Sequence, residues 1–135
     1  MTFLLATEPV TSLADYLDTD VGGRGIARAR ELGPAATIEE ISRSGLRGRG
    51  GGGFPSGQKW AGIAAQAAER RYLVCNGAEG EPGTFKDRAL IRANPYQLVE
   101  GVMIAMSTID AAESYICLKR SFQLEIDLVT HAVAE

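Results

Sequence analysis

The apolar positions fall in two short runs set among longer amphipathic stretches. Tyr72-Leu73-Val74-Cys75-Asn76 is bounded by turn residues and predicts a buried strand. Ser114 to Lys119 predicts a second. Between them, Asp87 to Arg92 predicts a short helix, and Asn94-Pro95 supplies the cap and first turn of a longer amphipathic helix, Pro95 to Thr108. Upstream, Val21 to Leu32 reads as a helix stopped by Gly33-Pro34. Thr37 with Glu40 carries the capping-box spacing of a short helix through Ser44. Ser56 predicts an N-cap for an alanine-rich helix from Lys59 to Arg70, and Ser121 with Glu125 to Ala134 a last helix. Residues 1–20 show no sustained periodicity and predict an irregular or weakly helical lead. Two apolar strands joined through helices predict a parallel βαβ unit, hence the α/β class. A two-stranded sheet is too small to stand alone, so the chain reads as the first part of a larger domain.

Composition changes this picture little. A length of 135 residues fits one domain or part of one, and 45% apolar with 23% charged residues is ordinary for a globular chain. The net charge of −3 argues against broad nucleic-acid or anionic-membrane binding. No apolar run approaches the roughly 18 residues of a membrane span, and the start lacks the basic region of a secretory signal. Cys75 and Cys117 lie in apolar segments and read as reduced core cysteines of a cytosolic protein. The single histidine, His131, reads as helix decoration, and no metal site is expected.

The chemistry concentrates in Ser44 to Trp60, which contains Gly48-Arg49-Gly50-Gly51-Gly52-Gly53-Phe54-Pro55 and then Lys59. Bare glycine amides, a helix start and a nearby ammonium suit a ligand that carries phosphate. The literal G-x-G-x-x-G here is not the usual dinucleotide fingerprint, because amphipathic Ile38 to Arg43 precedes it instead of an apolar strand. A P-loop would need Gly-Lys-Ser/Thr, and Gly57-Gln58-Lys59-Trp60 does not supply it. An RNA-binding RGG tract would repeat, and a flexible linker would not carry Phe54-Pro55 and Lys59-Trp60 as anchors. The second candidate loop, Asn76 to Gly83, leaves a strand at its C-terminal end, where open α/β sheets place ligands. Asn76 can both donate and accept towards a heterocycle. Lys86-Asp87-Arg88 reads as a helix start with solvated charges.

Together these stretches resemble the flavin-binding, 51 kDa-type subunit of respiratory complex I. The same module occurs in NAD-reducing hydrogenases and NAD-dependent formate dehydrogenases. The resemblance is carried by Gly45 to Gly51, Phe54-Pro55, Gly57, Lys59-Trp60, Asn76, Glu79, Glu81-Pro82-Gly83-Thr84, Lys86-Asp87-Arg88 and Leu98-Val99-Glu100-Gly101. It implies a Rossmann-like FMN-binding domain with a short parallel sheet and flanking helices, incomplete at its C-terminal end. On that reading residues 1–20 are a lead and 21–135 the N-terminal part of the domain. The resemblance implies FMN contacts from Gly48, Gly50, Gly51, Lys59, Asn76 and Glu79. It implies NAD(H) contacts from Arg49, Gly53, Phe54 and Glu81, with Phe54 stacked on the adenine and Glu81 beside the nicotinamide as the catalytic residue. It further implies hydride transfer from NADH to FMN, partners among the subunits of an NADH-oxidising complex or an iron–sulfur protein, and a cytoplasmic or membrane-peripheral location. Three departures stand out. Ala78 replaces an aspartate, Gly62 replaces an aromatic, and neither the family's second flavin loop nor its four-cysteine segment is found, so no iron–sulfur cluster is expected on this chain. The alternative is a non-catalytic remnant or assembly protein that keeps the glycine loop.

Overall fold

The computed structural model describes residue 5 and residues 7–135. Its elements run α1 (Leu13–Leu17), α2 (Arg24–Arg43), α3 (Ser56–Ala64), β1 (Tyr72–Asn76), α4 (Lys86–Ala93), α5 (Pro95–Thr108), β2 (Glu113–Cys117) and α6 (Gln123–Ala134). The strands pair in parallel, from Tyr72 opposite Glu113 to Asn76 opposite Cys117. The βαβ expectation is therefore met, with α4 and α5 forming the crossover.

Helix α5 is the hub. Asn94 accepts the Gln97 amide at 3.0 Å and Pro95 opens the first turn, as the sequence predicts. Its buried residues include Tyr96, Glu100, Val102, Ala105 and Thr108, which is more than one stripe, because α5 packs against α2, α6, α4 and both strands. Val10 and Tyr16 from the lead join Tyr96 and Ala132 in one apolar cluster, and the Tyr16 and Tyr96 rings stack with centroids 6.1 Å apart.

Several local expectations need correction. Helix α2 breaks at Gly33 (φ 74, ψ 171) and restarts at Pro34. Thr37 is consequently not a cap; it lies inside the restarted helix and donates to the Gly33 carbonyl at 2.8 Å. Ser56 is likewise the first residue of α3, and Pro55 occupies the N-cap. That helix ends at Ala64 rather than Arg70, because the Arg71 guanidinium donates to the carbonyls of Gln66 at 2.7 Å and Ala64 at 3.4 Å. A side chain a few residues downstream caps the helix end and overrides the alanine propensity of the residues between. Finally, the strands are covered on one face only. Leu73, Cys75, Ser114 and Ile116 are half-buried, whereas Tyr72, Val74, Tyr115 and Cys117 are exposed. Cys117 is therefore not a core cysteine, and Cys75 is only partly one.

Candidate functional site

The glycine run forms a tight antiparallel tongue. Arg47 bridges Pro55, the Gly48 amide donates to the Phe54 carbonyl at 2.9 Å, and the Ser56 amide donates to Leu46 at 2.9 Å. At the tip, the Gly52 amide turns back to the Gly50 carbonyl at 3.0 Å, and Gly51 sits at φ 80, a conformation that L side chains rarely take. Among the described residues, the amides of Arg49, Gly50, Gly51 and Gly53 have no hydrogen-bond acceptor. The tongue feeds directly into α3, and Lys59 stands exposed in the first turn of that helix. Neither Lys59 nor Arg49 makes an ion pair among the described residues, whereas Arg47 spans the tongue to the Gly53 carbonyl at 2.9 Å. Phe54 is 59% exposed, an apolar ring held outside the core. Helix α3 can lie this close to α2 because residue 57 is glycine: a Cβ there would come within 2.1 Å of Ser42 Oγ and 2.7 Å of the Ser42 backbone.

The loop leaving β1 meets this tongue. The Glu81 carboxylate lies against Gly51, where a Cβ would come within 2.7 Å of Oε1, and the positive φ of residue 51 itself favours glycine. Asn76, at the strand end, accepts the Ala78 amide at 3.1 Å and so shapes its own exit turn. Glu79 follows with its side chain 1% exposed. One carboxylate oxygen accepts Arg88 Nε at 2.7 Å and the other accepts the Asp87 amide at 2.9 Å, which ties the loop to the start of α4. Burial works against ionisation here, but the Arg88 hydrogen bond, the Asp87 amide and the charges of Arg88 and Lys86 outweigh it and hold the Glu79 carboxyl below its usual range.

The structure thus brings Glu81 against Gly51, and places Gly50, Gly53, Phe54 and Lys59 on the same tongue-and-helix segment as Gly51. Two further predicted contacts have partners within the protein. The Gly48 amide is occupied within the tongue, and both Glu79 carboxylate oxygens face α4. Lys86-Asp87-Arg88 is more than a solvated helix start: the Arg88 guanidinium lies 4.1 Å from the Phe85 ring centroid and 4.8 Å from that of Phe122. Glu100, in the middle of α5, enters the sequence reading only as part of the resemblance, with no role attached. It accepts the Tyr16 hydroxyl, the Gly23 amide at 3.0 Å and the Ile26 amide at 2.8 Å, capping α2 from a distant helix. A cleft of about 590 Å³ between α2 and α5 is lined by Tyr16, Val21, Leu46, Leu90 and Ile104, and by none of the predicted site residues.

Residues 41–135 match the Nuo51 FMN-binding domain. The chain belongs to that family. It is 40% identical over 126 residues to an NADH-quinone oxidoreductase protein of Aquifex aeolicus, covering 93% of this chain and 29% of that protein. It is 44% identical over 102 residues to the mitochondrial NADH-ubiquinone oxidoreductase 51 kDa subunit of Neurospora crassa, covering 73% and 21%. The fold superposes on a chain of the NAD+-reducing [NiFe]-hydrogenase in its H2-reduced state with a TM-score of 0.78 and 34% identity, covering 95% of this chain and 22% of that one. The chain therefore spans less than a third of the length of these relatives. A flavin mononucleotide fits the tongue by its donor chemistry: open glycine amides, a helix start and two cations unpaired among the described residues belong to one short segment. No helix of the described residues is long and apolar enough to cross a membrane.

Proposed function

We propose that this chain holds FMN between the glycine tongue and the β1-exit loop and presents it to NADH. The observation that supports this reading is the tongue's set of open amides, at Arg49, Gly50, Gly51 and Gly53 among the described residues, with the Glu81 carboxylate of the second loop beside Gly51. The amides of Gly50 and Gly51 and the Lys59 ammonium take the phosphate, since a dianion needs several donors and a cation. Asn76 lines the ribityl and ring, and Glu79 contributes a fixed turn rather than its carboxylate. Arg49, Gly53 and the exposed Phe54 ring receive the adenine half of NADH, and Glu81 orients the nicotinamide. Bound flavin supplies the conversion of a two-electron donor into one-electron steps. The acceptor is another subunit of an NADH-oxidising complex or an iron–sulfur protein, at a cytoplasmic or membrane-peripheral site.

Titration of FMN fluorescence tests this directly. Saturable quenching is expected, and Lys59→Ala should weaken it by roughly one to two decades, the worth of one charge-assisted contact. A protein that ignores FMN at every concentration would favour the assembly-protein alternative. Equal affinities would take Lys59 out of the phosphate site.

A further inference from the structure

The turn that carries Glu81 is gripped from a second strand. Lys119, just past the end of β2, donates from Nζ to the Glu79 carbonyl at 2.9 Å. Glu79 adopts φ 47, in the left-handed region that a side chain disfavours. Arg88 and the Asp87 amide hold its carboxylate at the same time, at 2.7 and 2.9 Å. Arg88 itself is fixed between the rings of Phe85 and Phe122, and Lys119 Nζ lies 5.4 Å from the same Phe122 ring. The hold on both its carbonyl and its carboxylate opposes relaxation out of the left-handed turn. Gly80 then leads the chain to Glu81 against Gly51.

We infer that Lys119 is a positioning residue: it fixes the Glu79 turn that sets Glu81 against the glycine tongue, without touching the ligand. The consequence for ligand affinity rests on the FMN reading above; the consequence for the turn does not. Lys119 is exposed, so its replacement leaves the core intact.

The test compares Lys119→Met, which keeps the stem and removes the donor, with Lys119→Arg, which keeps one. Amide hydrogen exchange is followed by NMR on the full chain, and FMN is titrated by fluorescence. The Met variant should exchange about five- to tenfold faster at Ala78 and Asp87, whose amides report the turn. FMN affinity should fall by a similar factor. The Gln97 amide, capped by Asn94, should not change, and the Arg variant should behave like the parent. Parental exchange at Ala78 and Asp87 in the Met variant would overturn the inference. So would a uniform rise at every amide, which signals general loss of stability. Faster exchange confined to the turn, in a protein that does not bind FMN at all, would support the positioning role and remove the FMN assignment instead.

Discussion

Glu100 shows how much one side chain can organise. Its carboxylate serves the buried Tyr16 hydroxyl and two half-buried amides at the start of α2. Burial and then the Glu100 hydrogen bond push the Tyr16 phenol well above its usual range, so it remains a donor at any working pH. Glu100→Ala should cost roughly 2–4 kcal/mol, because three donors lose their acceptor. Glu100→Gln keeps one oxygen and should cost about half of that; urea titrations of the three proteins separate the cases. Nothing in the local sequence betrays this role, since the capped amides lie 77 and 74 positions upstream. Glu79 allows a second prediction. Its folded value lies below the ordinary 4.5, so its contribution to stability is complete above that pH and is lost as pH falls through the folded value. Glu79→Gln should flatten the acid limb of a stability–pH curve just below pH 4.5. An unchanged limb would mean that the Arg88 contact does not form in solution.

At the scale of elements, α3 carries two glycines with opposite demands. A Cβ at Gly57 collides with Ser42, while one at Gly62 meets nothing within 4 Å. Gly57→Ala should therefore force α3 off α2 and destabilise by roughly 2–3 kcal/mol. Gly62→Ala should stabilise by roughly 0.5–1 kcal/mol, as a glycine-to-alanine change in an exposed helix does. Thermal melts that moved in the same direction would contradict this packing. The same helix marks where sequence legibility ends. Strand β1 and helix α5 are readable to the residue, because turn residues bound the one and a proline-led cap opens the other. The end of α3 is not, since Arg71 stops it from outside. Thr37 misleads for a similar reason: Pro34 three positions earlier has already begun the helix.

Across the whole molecule, the two loops that the sequence singles out do meet, with Glu81 beside Gly51. Their coupling through Arg88, Phe122 and Lys119 is not legible in the sequence, because each is an ordinary residue until the parallel pairing brings β2 beside β1. One face of that sheet remains open, with Val74 59% and Tyr72 52% exposed, whereas parallel sheets are ordinarily covered on both sides. On the FMN reading proposed above, the chain on its own is expected to oxidise NADH slowly. Stopped-flow mixing with NADH should bleach bound flavin only gradually, and ferricyanide reduction should be slow; rapid bleaching would show that a second copy or the lead completes the site. The Glu100 cap carries a further consequence, for synthesis. The start of α2 leaves the ribosome with its amides bare, and 74 positions separate Ile26 from the carboxylate that will receive it. At about 5–20 residues per second, that interval is roughly 4–15 s. For those seconds the nascent N-terminal segment has no partner for its first helical turn, and a chain stalled before residue 100 presents the quality-control machinery with an unfinished helix rather than a folded half.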